Sequence, residues 1–176
     1  MAITQFNLAA GQRAERKLLI TVAEWTEGST QVREVLGTRT EDSSIEYNAD
    51  ISTTTDILGN NYTDINKTQP QQDFDPYLVL GGSKLGAKLN DIRKRNALSE
   101  LSQFTMYIIT AFAGTPETST GGDGAYEAEK HEDCTITYNS IGGDSNVNFP
   151  ISVYFSNKIT NGTVNKLADD FTFTTL

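Results

Sequence analysis

Cysteine and histidine are almost missing from this chain: Cys134 and His131 are the only residues of their kinds. A single thiol cannot form an internal disulfide. One imidazole beside one thiol cannot complete a structural zinc site, and catalytic arrangements that need more than one histidine are excluded with it. Positive charge is also scarce, with Lys+Arg at 14 against Asp+Glu at 23, a formal net charge of -9 and a pI near 4.5. Proteins that bind nucleic acid by releasing counterions present a basic face, so this balance argues against a nucleic-acid reader. No stretch approaches the roughly 20 apolar residues of a membrane-spanning helix. The opening MAITQFNLAAGQRAERKLLI has no charged segment ahead of an apolar one, so no secretory signal is read there. The expectation is synthesis in the cytoplasm, which suits an unpaired cysteine. Three Asn-x-Thr triplets, at Asn61, Asn66 and Asn161, are what a chain rich in Asn and Thr produces by chance.

What the chain has is 176 residues, enough for one domain with its own core, and strong period-two patterning. Val147, Phe149, Ile151, Val153 and Phe155 alternate with polar neighbours, so one face of that strand is buried; Pro150 points to an edge or a bulge. Ile45, Tyr47, Ala49 and Ile51 alternate with Ser44, Glu46, Asn48, Asp50 and Ser52, which predicts a second strand with one hydrophilic, acidic face. Further strands are predicted at 17–25, 30–40, 103–113, 126–139 and 170–175, all rich in β-branched or aromatic residues. The run from Phe104 through Met106, Ile108 and Phe112 is apolar on both faces and reads as a central strand covered on both sides.

One segment departs from this pattern. Across 84–101, Leu85, Leu89 and Ile92 fall at spacings of four and three, then Leu98 and Leu101 follow, predicting a helix with a possible interruption whose leucine stripe lies on the sheet. Asn90-Asp91 offers an alternative cap for a shorter helix. Two long loops stand out, 114–124 and the polar 56–76, and long ordered loops usually bind something. Residues 1–12 read as an arm with no core of its own.

The chemistry-bearing residues give little support to an enzyme. His131 lies in a charged run and reads as solvated surface, whereas Cys134 opens an apolar alternation and reads as a small buried hydrophobe. Gly121-Gly122-Asp123-Gly124 and Gly142-Gly143-Asp144 lack the Lys and Ser/Thr of a phosphate loop and the spaced carboxylates of a calcium loop, so they read as turns. Arg93-Lys94-Arg95 reads as a solvated helix face. No catalytic residue, metal ligand or cofactor is assigned.

The segment 45–80 is more specific. An acidic strand, SIEYNADIS, leads to the turn Thr55-Asp56-Ile57-Leu58-Gly59, a return through Tyr62-Thr63-Asp64, and Gln72-Asp73-Phe74-Asp75-Pro76 ahead of Gly81-Gly82. This order resembles the long stacking hairpin of phage major tail proteins, the tail tube family of siphophages and related injection machines. The helix with Ala97-Leu98-Ser99-Glu100-Leu101 running into Phe104-Thr105-Met106 is similar to the helix and core strand of that family. Ala125 to Glu129, Gly142-Gly143-Asp144 and the last strand pair fit its C-terminal half.

The resemblance implies a mainly β fold: a β-sandwich or half-barrel subunit with one helix and a long hairpin, related to the haemolysin-coregulated protein of type VI secretion. It implies a single domain, with an N-terminal arm at 1–12, the hairpin and its loop at 44–80, the helix at 84–101 and strands through 103–176. Six subunits would close into a ring-shaped β-barrel, and rings would stack into a channel that conducts DNA. Implied partners are other copies of the chain, tape-measure, tail-terminator and distal tail or baseplate proteins, with DNA passing unbound, no membrane, and the virion tail as the location. On the polar face of the 44–52 strand, Glu46 and Asp50 would line the channel. Ile57, Leu58, Gly59, Asn60, Tyr62 and Phe74 would stack one ring on the next. The rival reading is a non-catalytic β-sandwich that binds carbohydrate or protein, for which Trp25 and Tyr62 are the candidate aromatic contacts.

Overall fold

Strand β7, Phe104–Thr115, organises the molecule, and it does so because both its faces are apolar. Phe104, Met106 and Ile108 enter one buried cluster, while Tyr107, Ile109 and Ala111 enter a second on the opposite side. The computed structural model that shows this describes residues 6–117 and 123–176. Two strands flank β7 in antiparallel register: β1, Leu19–Glu27, on one side and β8, Ala125–Tyr138, on the other. β1 divides its side chains in the same way, with Ala23 and Trp25 in the first cluster and Val22 in the second.

The sheet continues through β2, Thr30–Val35, beyond β1, and through β9, Ile151–Tyr154, β6, Gln71–Phe74, and β3, Ile45–Glu46, beyond β8. β8 is long enough to take two neighbours along one edge. Its first half pairs with β10, Ile159–Val164, which carries β11, Phe173–Thr175; its second half pairs with β9. The two halves meet at a bulge where Phe104 and Met106 of β7 oppose Cys134 and His131 of β8, so that one extra residue is held on β8. Asp133 takes a positive φ of 56° there. The extra residue exchanges the faces of the strand: Tyr126 and Ala128 face the second core, whereas Cys134 and Ile136 face the first. The result is a bent, nine-stranded antiparallel half-barrel whose ends, β2 and β3, pair with nothing on their outer sides among the described residues.

Helix α1, Lys84–Arg95, closes the first cluster with Leu85, Leu89 and Ile92, all wholly buried. Ser83, rather than Asn90, caps it: the Ser83 Oγ accepts from the Gly86 N–H at 3.1 Å. The Glu34 carboxylate of β2 adds a second cap, accepting from the backbone N–H groups of Lys84 at 2.5 Å and Leu85 at 2.9 Å and from the Tyr77 hydroxyl at 3.0 Å. Burial first, and then the Glu34 charge, push the Tyr77 hydroxyl above its ordinary range. The helix ends at Asn96 in the left-handed region, and a 3-10 turn over Leu98–Ser102 follows, so the leucine spacing at 84–101 covers two pieces. Glu100 ties them, accepting from Lys88 at 2.8 Å and Arg95 at 2.8 Å.

Two of the predicted strands change, and the predicted loop 56–76 contains strands of its own. The predicted strand over 44–52 is broken, because Asn48 takes a positive φ of 43° and separates β3 from the next strand. Asparagine is among the few residues that adopt this conformation at low cost. The strand predicted through 147–155 begins only at Ile151, since Pro150 has no N–H to give a ladder; it is an inner strand between β8 and β6 and not an edge. Residues 6 and 7 of the N-terminal arm run along β7, with the Phe6 ring edge-on to Phe112 at 5.4 Å and the Asn7 N–H donating to the Phe112 carbonyl at 2.9 Å. The first five residues, and 118–122 with Gly121-Gly122, lie outside the described residues.

Candidate assembly surface

Between β3 and β6 the chain leaves the half-barrel as a two-stranded ribbon, β4, Asp50–Thr55, and β5, Asn61–Lys67. It continues the β3–β6 pair past the Asn48 kink, where the Asn48 amide donates to the Gln69 carbonyl and the Gln69 N–H to the Tyr47 carbonyl. Among the described residues the ribbon makes no substantial packing with any other strand or helix. Its register places Ile51 opposite Ile65 and Thr53 opposite Thr63 on one face, with Thr54 opposite Tyr62 on the other. Ile51 is 57 % exposed and Ile65 66 %, so the pair is half in water on an otherwise unsupported ribbon. A lone two-stranded hairpin is marginally stable in water at best.

The tip is organised by one carboxylate. Asp56 Oδ1 accepts from the Leu58 N–H at 2.8 Å and the Asn60 N–H at 2.9 Å, and Oδ2 accepts from the Asn60 amide at 3.0 Å and the Tyr62 hydroxyl at 3.1 Å. These bonds, led by those from Asn60, hold the Asp56 carboxyl below its ordinary range. Gly59 completes the turn at a φ of 82°, a conformation that glycine adopts without strain. The outcome is a built turn that holds Ile57 and Leu58 outward, fully and 81 % exposed respectively. Of the residues assigned to stacking, Ile57, Leu58, Gly59, Asn60 and Tyr62 therefore sit together at the ribbon's outer end.

Phe74 does not. It is 1 % exposed and packs in the first core from β6, because β6 is an inner strand and not the return of a surface hairpin. Phe74 therefore supports the fold and offers no surface to another subunit. Ile51 and Ile65 are the residues that sequence reasoning missed; their mirror placement about Leu58 was the available signal.

Glu46 and Asp50 are both exposed, but the Asn48 kink puts them on different strands, Glu46 opposite Gln71 in β3 and Asp50 opposite Lys67 at the ribbon's foot. Glu46 shares a shallow cleft of about 170 Å³ with Asp42 and Asp73. Among the described residues no group of three His, Cys, Asp or Glu side chains is placed to hold a metal ion. Trp25, the aromatic contact of the rival binding-module reading, is 4 % exposed in the first core, edge-on to Phe104. His131, expected at the surface, is 2 % exposed, because its register opposite Met106 turns it toward the first core, edge-on to the Phe155 ring. Cys134 is wholly buried as expected, and burial raises its thiol above the ordinary range.

No family model matches the chain, and no curated protein matches it. Among solved structures, one similar chain comes from the cryo-EM structure of the anti-feeding prophage cap, the AFP tube terminating cap. The likeness covers 93% of this chain and 99% of that one at 17% identity, with a TM-score of 0.48. A second comes from the cryo-EM structure of the anti-feeding prophage baseplate, 6-fold symmetrised, covering 88% of this chain and 97% of that one at 8% identity, with a TM-score of 0.45.

Proposed function

We propose that this chain is a structural subunit of a phage-type tail tube, stacking as sixfold rings into a channel that conducts DNA, with other tail proteins at its ends. The observation that carries the reading is the ribbon β4–β5: a strand pair with exposed Ile51, Ile57, Leu58, Tyr62 and Ile65 that, among the described residues, packs substantially on no other strand or helix. Such a ribbon is stabilised when a partner covers it, and a second copy of the chain is the partner that the tail-tube resemblance supplies. The open ends of the half-barrel agree: β2 and β3 leave unpaired backbone groups that a neighbour in a ring would satisfy. On this reading Glu46, beside Asp42 and Asp73, and Asp50 face the lumen, where negative charge prevents DNA from adhering.

The test is negative-stain electron microscopy of the purified protein at rising concentration, with sedimentation to count subunits. The expected result is rings or stacked tubes whose abundance grows with concentration. A monomer at all concentrations, persisting when preformed tail-tip complexes are added as initiators, overturns the reading.

A further inference from the structure

We propose that His131 is a proton-operated latch at the bend of β8, holding the β9–β10 turn against the sheet more tightly when the imidazole is protonated. The inference concerns the subunit itself and does not depend on how subunits assemble.

Both ring nitrogens face acceptors. His131 Nδ1 lies 3.0 Å from the Ser156 carbonyl oxygen, and Nε2 lies 3.4 Å from Glu129 Oε2. A neutral imidazole carries one N–H, so it can donate to one of these and turns a lone pair toward the other. The protonated ring donates to both and gains the attraction of the carboxylate. The arrangement is therefore complete only with the second proton in place. Loss of that proton sets a ring lone pair against one of the two acceptors, the Ser156 carbonyl or the Glu129 carboxylate according to the tautomer, in a site closed to water on the histidine side.

The location makes this a joint. His131 is the residue after which β8 bulges, and its partners there are Met106 of β7 and Ile159 of β10. The Ser156 hydroxyl donates to the Glu132 carbonyl, the Glu132 N–H to the Lys158 carbonyl at 3.1 Å, and the Cys134 thiol to the His131 carbonyl at 3.4 Å. The bend between the two halves of the half-barrel and the turn leaving β9 are thus held at one point, where the Cys134 sulfur also accepts from the Ser156 N–H at 3.4 Å; burial raises the Cys134 thiol above its ordinary range, which leaves His131 as the side chain there that changes charge near neutral pH.

The charges around the ring are accounted for. β7 presents Met106, β10 presents Ile159 and the turn presents the Phe155 ring, none of them ionisable in this setting. On β8, Lys130 is paired with Glu132 and Asp133 with Lys158, which leaves Glu129 as the charge that faces the imidazole. Glu129 also lines a surface cleft with Arg16 and Tyr47, so a carboxylate released from His131 has Arg16 as the next cation within that cleft.

The experiment compares the thermal unfolding of the chain and of Glu129→Gln from about pH 5 to about pH 8, the range in which histidine protonation ordinarily changes. A glutamine amide can donate to the Nε2 lone pair, so it satisfies the neutral ring. The expected result is a melting temperature of the unaltered chain that falls by about 2–4 °C across this range, against a profile for Glu129→Gln lacking that fall. An identical pH slope in both overturns the latch. Because His131 is the only histidine, its imidazole ¹⁵N resonances give a second reading on the unaltered chain. At the acidic end both nitrogens should carry protons and the Nε2 proton should exchange slowly with solvent; fast exchange overturns the proposal even if a variant fails to fold.

Discussion

Phe74 and Ile57 are both large and apolar, yet their surroundings predict opposite consequences for their loss. Phe74 is enclosed by the first core, and truncating a fully buried phenylalanine removes both its transfer free energy and the contacts of its neighbours. Phe74→Ala should destabilise the subunit by about 3–5 kcal/mol in chemical denaturation. Ile57→Ser should leave stability within about 0.5 kcal/mol, as for a surface site, while weakening assembly. A stability loss from Ile57→Ser as large as that from Phe74→Ala would mean that the ribbon tip folds back on its own subunit. Glu100 supplies a pH-dependent case. Its bonds from Arg95 and then Lys88 lower its carboxyl to about 2 from the ordinary 4.5. A lowered carboxyl stabilises the fold fully above its unfolded value, and that contribution disappears as the pH falls from 4.5 toward 2. Glu100→Gln should therefore lower the melting temperature at neutral pH and leave it unchanged near pH 2; a constant difference at both would place the effect of Glu100 in packing and not in charge.

Among the elements, the ribbon is the piece whose removal separates folding from assembly. Among the described residues it rests substantially on no other strand or helix, so excising 50–67 and joining the ends through an Asn-Gly turn should preserve a single cooperative unfolding transition. Polymerisation should be lost, as judged by sedimentation. Tubes formed by the excised chain would assign stacking to some other surface. How much of this was legible in the sequence depends on how each element announces itself. β7 was legible because Phe104, Met106 and Ile108 alternate with Tyr107, Ile109 and Ala111, and a strand apolar on both sides has one placement, in the middle. Helix α1 was legible from its leucine spacing, although Ser83 outcompeted Asn90 as cap by its position before Gly86. The break at Asn48 was not, since alternation reports side-chain period and says nothing of a single backbone angle that turns the chain out of plane. His131 was misplaced for a related reason. Its inward face follows from pairing with Met106 of β7, a register that the charged run around it in the sequence does not reveal. Phe74 was assigned to stacking because β6 is four residues long and embedded in a polar stretch, where its inner position in the sheet comes from pairing with β9, far along the chain.

At the scale of the whole molecule the governing quantity is charge. In the sixfold ring proposed above, six chains of net -9 would bring about -54 charges together, so such a ring would gather against its own repulsion and need apolar and backbone contacts to hold it. Negative charge retained at that cost is most useful where it meets DNA, since a phosphate backbone sliding past carboxylates finds no ion pair to break. Glu46, with Asp42 and Asp73 around it, and Asp50 at the ribbon's foot are the exposed acids assigned here to the lumen. Converting both to lysine, Glu46→Lys with Asp50→Lys, moves a ring from about -54 to about -30, because each chain changes by four units. Lower self-repulsion should allow rings to form at least as readily, so tube yield is expected to hold or rise. DNA delivery should slow, because phosphates would pause at twelve new cations per ring, one pair from each of six subunits, and the delay should shrink as added salt screens them. Normal delivery by particles carrying both substitutions would remove Glu46 and Asp50 from the lumen. Slow delivery that salt does not relieve would assign the defect to altered tube geometry and not to charge.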